Sequence, residues 1–565
     1  MPELVIPFAQ EAIHYRPAKT GTPFLPGFPK PLREAALEKP YLAAYLNAIP
    51  VDKIGVPAYY PKLDRALGKL TRRNLIYPVK NGIFVHIYPD ELSERDYYIV
   101  IEPTLGIHLN GIERDIELKL LEMAEEIGQA EADDRGQVFL DSLDKILTTE
   151  RPSKTKKRKS KKILVTKAEL EAIRYTTLRD KVGVGALDPL LGDPYIEDIS
   201  CSGLGSIFLE HKIFKSLKTS IVFTSHDELD AFVVWLGERI KQPVTLRNPI
   251  VDAVLPDGSR INIVYGRDIT KRGSNFTIRK FAEEPLNILK LIDFGSIDAM
   301  MAAYLWMAIE DDLNLFVSGE TASGKTTLLN ALTTFIKPDA KVVSIEDTPE
   351  LQVPQENWLR EVVKHMGAGK TGASVDMFDL LKAALRQRPD RILIGEIRGV
   401  EGNIAFQAMQ TGHGVMATFH ASSVEKLIQR LTGNPIDVPK TYIPNLDLVV
   451  IQMAVRGPNG GLLRRILSIN EIVDYDPVTN SFSFVTAFRW RPDNDTFEFP
   501  AYMNSFLLEE KIARMRGYTE MNKRKIYDDL HKRARILEKL KGQNIEGFKE
   551  LFRLMTEAQR QGLID

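Results

Sequence analysis

Eight consecutive residues, Gly319-Glu320-Thr321-Ala322-Ser323-Gly324-Lys325-Thr326, satisfy the pattern G-x-x-x-x-G-K-[ST] without a departure. The pattern constrains the fold because such a loop functions only where a buried strand hands over to a helix. The flanks supply both. Leu313 to Val317 reads as a buried strand, and from Thr327 to Ile336 apolar residues (Leu328, Leu329, Leu332, Phe335, Ile336) recur at helical spacing. In that turn the glycines let backbone N–H groups converge on phosphate oxygens, and the helix N-terminus adds its partial positive charge. Lys325 is placed to reach β- and γ-phosphates and the Thr326 hydroxyl to ligate Mg²⁺, so the segment from Gly319 through Thr327 is expected to bind ATP.

Three later segments end in polar residues after an apolar strand, as expected along one edge of a parallel sheet. Val342-Val343-Ser344-Ile345 is followed by Glu346, Asp347 and Glu350. Ile392-Leu393-Ile394-Gly395 is followed by Glu396 and Arg398, and preceded by Arg386 and Arg388 on a helix that Pro389 must interrupt or end. Gly414 to Phe419 is followed by His420 and preceded by His413. Parallel strands place their C-terminal ends on the side where the phosphate loop sits. Phosphoryl transfer to water needs a positioned nucleophile, a metal and positive charge on the transferring group. Glu396 suits Mg²⁺ or water contact, Glu346 or Glu350 suits water activation, and His420 suits sensing of the γ-phosphate. Each residue alone would read as a solvated carboxylate or a structural histidine; the constellation favours the chemistry.

The rest of the chain supplies organisation. A length of 565 residues implies about three or four domains. Residues 1 to about 30 are rich in Pro and Gly and read as an extended arm. From Leu32 to about Leu147 helical stretches alternate with short strands such as Ile83 to Ile87 and Tyr97 to Ile101. The run RPSKTKKRKSKK, Arg151 to Lys162, reads as a solvated basic linker or as a patch for anionic lipid head groups. Amphipathic helices close the chain, one with Ile526, Leu530, Ala534, Leu537 and Leu540 on its apolar face, the next with Ile545, Phe548, Phe552 and Met555. The N-terminus lacks the basic-then-apolar order of a signal peptide, and no apolar run approaches the ~18–20 residues that span a bilayer. A protein of this kind would reach a membrane by recruitment. Its one cysteine, Cys201, excludes a disulfide framework or a cysteine-based metal site within one chain and fits a reducing cytoplasm.

At the motif residues the chain resembles the type II/type IV secretion ATPase superfamily, whose members power secretion, pilus extension and retraction, and archaellum rotation. GETASGKTT is similar to its Walker A segment, SIEDTPELQ to its Asp box, LIGEIR to its Walker B with Glu in place of the usual Asp, and TGHGVMATFHA to its His box. Upstream, Gly183 to Cys201 and Leu255 to Phe281 resemble the family's N-terminal nucleotide-closing domain, in which arginines reach the bound phosphates. The resemblance gives that role to Arg260 in the DGSR stretch and Arg279 before Lys280, with Arg267 the weaker match. Without it, an arginine in such a strand reads as a surface or ion-pair residue. Bacterial assembly ATPases of the superfamily commonly carry a four-cysteine zinc module that this chain cannot form, which points to the archaeal branch. Within that branch, Asn74 to Asp90 and Tyr97 to Leu105 resemble the N-terminal domain of the archaellum motor ATPase.

The resemblance implies an α/β chain in four parts: an N-terminal arm and mixed α+β domain over 1–165, an α+β nucleotide-closing domain over 166–290, a RecA-like P-loop NTPase domain over 291–500 and a helical tail over 501–565. It implies a hexameric cytoplasmic motor ATPase, using ATP and Mg²⁺ held by Thr326 and Glu396, that drives assembly or rotation of an archaellum-type or type IV pilus-like filament. The alternative is an archaeal type II-like secretion or pilus assembly ATPase. Either would sit peripherally at the membrane, through a polytopic platform protein and other subunits of the filament machine. A nucleic-acid translocase is disfavoured because Lys plus Arg (75) balances Asp plus Glu (76) and the dense basic run has no interleaved aromatics. A nucleotide-binding scaffold without turnover is disfavoured by the intact Lys325, Thr326 and Glu396.

Overall fold

The structure is a computed structural model that describes residues 2–561, apart from 9–26, 92, 108, 110, 130–133, 151–161, 282–283, 365–373, 458–460, 544 and 546. The basic run from Arg151 to Lys161 and most of the N-terminal arm therefore lie outside the described residues. The chain divides into two compact units, Met1–Phe281 and Ala282–Asp565.

In the first unit, alternation of apolar residues builds one long sheet. Its order runs Ile250–Val254, Arg260–Val264, Asn275–Arg279, Ile196–Cys201, Gly205–His211, Lys215–Phe223, Tyr97–Ile101, Phe84–Tyr88, Leu75–Pro78, Ala58–Tyr59. Most neighbours are antiparallel; Lys215–Phe223 runs parallel to Tyr97–Ile101, and this pairing joins the N-terminal segment to the one that follows the linker. The period of two sends Tyr98 and Val100 into one core and Ile99 and Ile101 into another, beneath the helices Lys30–Glu38 and Pro40–Ala48. The segments 1–165 and 166–281 thus share a sheet and a core.

Polar groups buried at that junction are satisfied. Asp193 accepts from Tyr77 Oη at 2.6 Å, Tyr98 Oη at 2.7 Å and the Tyr195 N–H at 2.8 Å. Lys280 Nζ donates to the Asp193 carbonyl. Tyr45 Oη and Asn74 Oδ1 meet the two ring nitrogens of the buried His86, each at 2.8 Å. His211 Nδ1 accepts from the Ile213 and Phe214 N–H groups, each at 3.1 Å. Burial pushes both imidazoles down to about 3, so both are neutral.

The second unit contains a nine-stranded sheet in the order Trp358–Val362, Val342–Glu346, Arg391–Ile397, Gly414–Phe419, Leu315–Ser318, Leu448–Arg456, Leu462–Asp476, Ser481–Arg491, Thr496–Glu498. The first six are mutually parallel and the last three add antiparallel ribbons. The central strands read as continuous apolar runs because helices cover both faces. On one face pack Ala299–Glu310, Lys325–Leu332 and the tail helices Ile526–Gly542 and Phe548–Arg560. On the other pack Met377–Arg386, Glu401–Gln410 and Val424–Thr432. This is the RecA-like α/β architecture that the resemblance implies.

Details differ from expectation in three places. The phosphate-loop helix is Lys325–Leu332, finished by a 3₁₀ turn at Thr333–Phe335. The helix before Pro389 ends at Arg386, since the residue preceding proline is disfavoured in the helical region, and Arg388 lies beyond it with φ of 52°. In the last helix Leu551, rather than Phe552, joins Phe548 and Met555 in the core.

The tail is locked into the unit. Buried Glu471 accepts from Tyr304 Oη at 2.7 Å, Ser505 Oγ at 2.6 Å and the Leu507 N–H at 3.1 Å. Arg533 lies 4.6 Å over the Trp306 ring and pairs with Glu310 at 2.7 Å. Trp306 in turn stacks on Phe335 at 5.4 Å and 3°.

The neutral histidines make the first unit sensitive to acid. A histidine held at about 3 when folded and ~6.5 when unfolded contributes stability above pH ~6.5 that is lost as pH falls toward 3. The slope approaches ~1.4 kcal/mol per pH unit per histidine. Denaturant unfolding of the parental chain and of His86→Gln should therefore show a stability gap at pH 7 that narrows steadily toward pH 4.5. A gap independent of pH would contradict the assignment.

Candidate functional site

The loop between Ser318 and Lys325 turns on two positions that accept no side chain. A Cβ on Gly319 would lie 2.0 Å from the Gln452 carbonyl oxygen, and Gly324, the N-cap of the helix, has φ of 95°. Ala322 also adopts a positive φ, 60°. Ser323 is buried, and its Oγ has no hydrogen-bond partner among the described residues. Lys325 folds back on the loop, donating to the Gly319 carbonyl at 3.1 Å and the Glu320 carbonyl at 2.9 Å. Desolvation lowers its affinity for a proton, while Glu396 and Glu350 oppose that effect and Arg398 adds to it. Those three side chains therefore lie within electrostatic reach of the lysine. Thr326 and Thr327 follow on the first turn of the helix, with Glu320 and Thr321 exposed on the loop.

The strand ends gather the remaining groups. Ser318 Oγ donates to the Ala421 carbonyl at 2.8 Å and accepts from the Ala421 N–H at 3.1 Å, and the Gly319 N–H donates to Phe419 O at 3.2 Å. These bonds fasten the loop's first residue to the segment carrying His420, whose own carbonyl accepts from Arg430 Nη1. Glu396 Oε2 accepts from Arg398 Nη2 at 2.5 Å and Nε at 2.9 Å. Arg398 Nη1 also reaches Asp347 at 4.0 Å.

The two acids after the Val342–Glu346 strand separate in the structure. Glu346 is buried, and its Oε1 accepts from the Glu350 and Leu351 N–H groups, each at 2.7 Å, with Arg360 Nε 3.5 Å from Oε2. Burial raises its proton affinity against these contacts. Glu346 thus clamps the turn that carries Glu350, which is exposed. Asn330, on the phosphate-loop helix, holds the same turn: its Nδ2 donates to Glu350 O at 3.1 Å and its Oδ1 accepts from the Gln352 N–H at 2.8 Å.

Arg260 and Arg279 lie in the first unit on adjacent strands, directly opposite each other in register, with the buried Ile261 and Ile278 facing the core. Both are exposed on the solvent face, and Asp198 is 3.9 Å from Arg279 Nε. Like charges directly across a ladder are unfavourable unless an anion joins them. Arg267 is instead engaged by Asp227 at 2.9 Å and Asp230 at 4.0 Å.

Three residues at the site escape sequence reasoning. Asn330 reads as an ordinary helix residue. Gln452 and Arg464 lie more than a hundred residues beyond the loop, and only the parallel register Ser318 to Ile451 brings their strands to it. As a ligand set for Mg²⁺, the Thr326 hydroxyl and Glu396 carboxylate are hard oxygen donors, and few protein ligands suffice where phosphates and waters complete the octahedron. The residues fit that ion.

The family model described as type II/IV secretion system protein matches residues 180–457. An uncharacterized protein of Methanocaldococcus jannaschii is 40% identical over 550 residues, covering 94% of this chain and 97% of its own length. The type IV secretion system protein VirB11 of Bartonella henselae is 33% identical over 253 residues, covering 39% of this chain and 70% of that protein. The type IV secretion system protein PtlH of Bordetella pertussis is 32% identical over 269 residues, covering 44% and 79%.

The clamp role of Glu346 has a direct test. Glu346→Ala leaves the part-buried Glu350 N–H and the buried Leu351 N–H unpaired and should lower stability by about 1.5–3 kcal/mol, whereas Glu350→Ala should leave unfolding unchanged. Denaturant unfolding decides, and equal midpoints for the two variants would remove the distinction.

Proposed function

The chain belongs to the type II/IV secretion system protein family, and from that premise we propose that it is an ATP-hydrolysing motor acting on a membrane-embedded filament or secretion machine. The observation that carries the reading is the glycine-constrained phosphate loop, with Lys325 in the field of Glu396 and Glu350. ATP binding draws Lys325 away from the Gly319 and Glu320 carbonyls to the β- and γ-phosphates. Bound Mg²⁺, held by Thr326 and Glu396, would neutralise charge on those phosphates. Glu350, exposed and presented by the Glu346 clamp, orients the attacking water, and His420 senses the γ-phosphate. Arg260 and Arg279 supply positive charge to the transferring group when the two units close on ATP, and closure is the movement delivered to a partner.

The working assembly in this reading is a homo-hexamer in the cytoplasm, recruited to the membrane by a polytopic platform protein. No described helix is long and apolar enough to cross a membrane. The finer assignment is an archaellum-type or type IV pilus-like filament, supported by the likeness of Asn74 to Asp90 and Tyr97 to Leu105 to an archaellum motor. Secretion is the alternative, favoured by the names VirB11 and PtlH carried by the relatives.

Lys325→Ala should abolish phosphate release, and Glu396→Gln should bind nucleotide with little hydrolysis; near-parental turnover by folded Lys325→Ala would remove the ATPase reading. Loss of Arg279 or Arg260 to Ala should cut turnover by up to ~10³–10⁵ without loss of fold, because an arginine at the transferring phosphate is worth that much in related chemistry. Mixing Arg279→Ala with Lys325→Ala protomers recovers activity only if the arginine acts across a subunit boundary. Parental rates in both arginine variants would refute closure as the completing step.

A further inference from the structure

Gln452 and Arg464 stand against the phosphate loop on strands that contribute nothing to the motifs. Gln452 follows Ile451, which pairs with Ser318, and its carbonyl oxygen lies 2.0 Å from the position of a Cβ on Gly319. The Gln452 side chain is 3% exposed; its Nε2 lies 3.2 Å from the position of a Cβ on Gly324, and its Oε1 has no hydrogen-bond partner among the described residues. Arg464, on the neighbouring antiparallel strand, donates from Nε to the Ala322 carbonyl at 3.2 Å, and its Cδ comes within 3.2 Å of the same Gly324 position. Its side chain therefore lies across the loop at the N-terminal end of the helix Lys325–Leu332.

Arg464 is exposed, and it stands where positive charge accumulates. The helix N-terminus carries partial positive charge, Lys325 is the first residue of that helix, and the partner of Arg464 there is a carbonyl, that of Ala322, and not a carboxylate. At the loop, two buried polar atoms have no partner among the described residues, Gln452 Oε1 and Ser323 Oγ. A guanidinium held against a helix N-terminus, at a loop with unsatisfied buried polar groups, is stabilised when an anion arrives. We propose that Arg464 is a nucleotide-binding residue that contacts the bound phosphates from the side opposite the carboxylates, and that Gln452 positions it and the loop. The inference rests on the ATPase reading above and adds a contact from the Leu448–Arg456 and Leu462–Asp476 ribbon to it.

The tethered Nε leaves the two Nη groups of Arg464 to donate, which suits a planar fork meeting phosphate oxygens. The contact is made to ground-state nucleotide, so its loss should raise KM more than it lowers kcat. Charge, rather than bracing of Ala322, is what matters. A glutamine at 464 keeps an N–H donor for the Ala322 carbonyl and loses the charge.

The test uses the full chain, with fluorescent ADP and ATP titrations, steady-state turnover and nucleotide-dependent thermal shifts on Arg464→Ala, Arg464→Gln and Arg464→Lys. Removing a charge-assisted hydrogen bond weakens binding on the order of ten- to a hundredfold. Arg464→Ala and Arg464→Gln should both show that loss, with kcat at saturating ATP within a few-fold of parental and with unchanged melting in the absence of nucleotide. Arg464→Lys should recover part of the affinity. Parental affinity in Arg464→Gln would reduce the residue to a brace and overturn the proposal, as would parental affinity in Arg464→Ala. Lys325→Ala serves as the control. If Lys325→Ala loses nucleotide while Arg464→Ala keeps it, only this inference fails; if the parental chain binds none, the ATPase reading fails and takes this one with it.

Discussion

The four-residue strand Leu315–Ser318 is bonded in parallel to Gly414–Phe419 on one side and Leu448–Arg456 on the other, and the placement of the polar groups near the phosphate loop follows from that pairing. All four residues are buried, Leu315 and Val317 in one core and Phe316 in the other, and the ladder pairs Ser318 with Phe419 and Ile451. With register fixed, Ser318 meets Ala421, Gly319 meets the carbonyls of Phe419 and Gln452, and the loop leaves the sheet at one point in one direction. The carboxylates of the Val342–Glu346 and Arg391–Ile397 strands arrive on the same edge because those strands run parallel too. The cost of this tight packing is a backbone contact at Gly319 that no other residue allows.

What the sequence made legible is what local pattern controls. The loop, its strand and helix, and the strands before Glu346, Glu396 and His420 all announce themselves as apolar runs that end in polar residues. What it left hidden depends on where the chain goes next. Glu346 and Glu350 look alike as acids after a strand; only the return of the chain at Glu350 and Leu351, which aims two N–H groups at Glu346, separates a clamp from an exposed carboxylate. Gln452 and Arg464 carry no local signal, since their approach to the loop is made by sheet order. The single sheet of the first unit was hidden for the same reason: the parallel pairing of Lys215–Phe223 with Tyr97–Ile101 closes a connection of more than a hundred residues. In the tail, periodicity identified both helices but misplaced the face of the second by one residue, Phe552 for Leu551.

Positive charge without full compensation recurs in each unit. Arg260 and Arg279 face each other across a ladder in the first, and Lys325 and Arg464 share a helix N-terminus in the second. Elsewhere the molecule pairs its arginines carefully. Arg391, fully buried, donates to the Leu313 and Ile309 carbonyls at 2.8 and 2.6 Å and meets Asp312 at 3.1 Å, and Arg465 takes both oxygens of Asp495 at 2.8 Å. These core arginines have carboxylate or carbonyl partners, whereas Arg260, Arg279 and Arg464 stand exposed where an anionic ligand is expected.

The stack of Trp306 on Phe335, with Arg533 over the indole, fixes the distal end of the phosphate-loop helix against the tail. The helix is then a strut clamped at one end and loaded at the other. Gly324 and Phe335 are eleven residues apart, about 16 Å at 1.5 Å per residue, so the tail braces the end of the helix that lies farthest from the loop. Anything that loosens the tail therefore reaches the phosphate loop through the helix, without touching any residue of the loop itself.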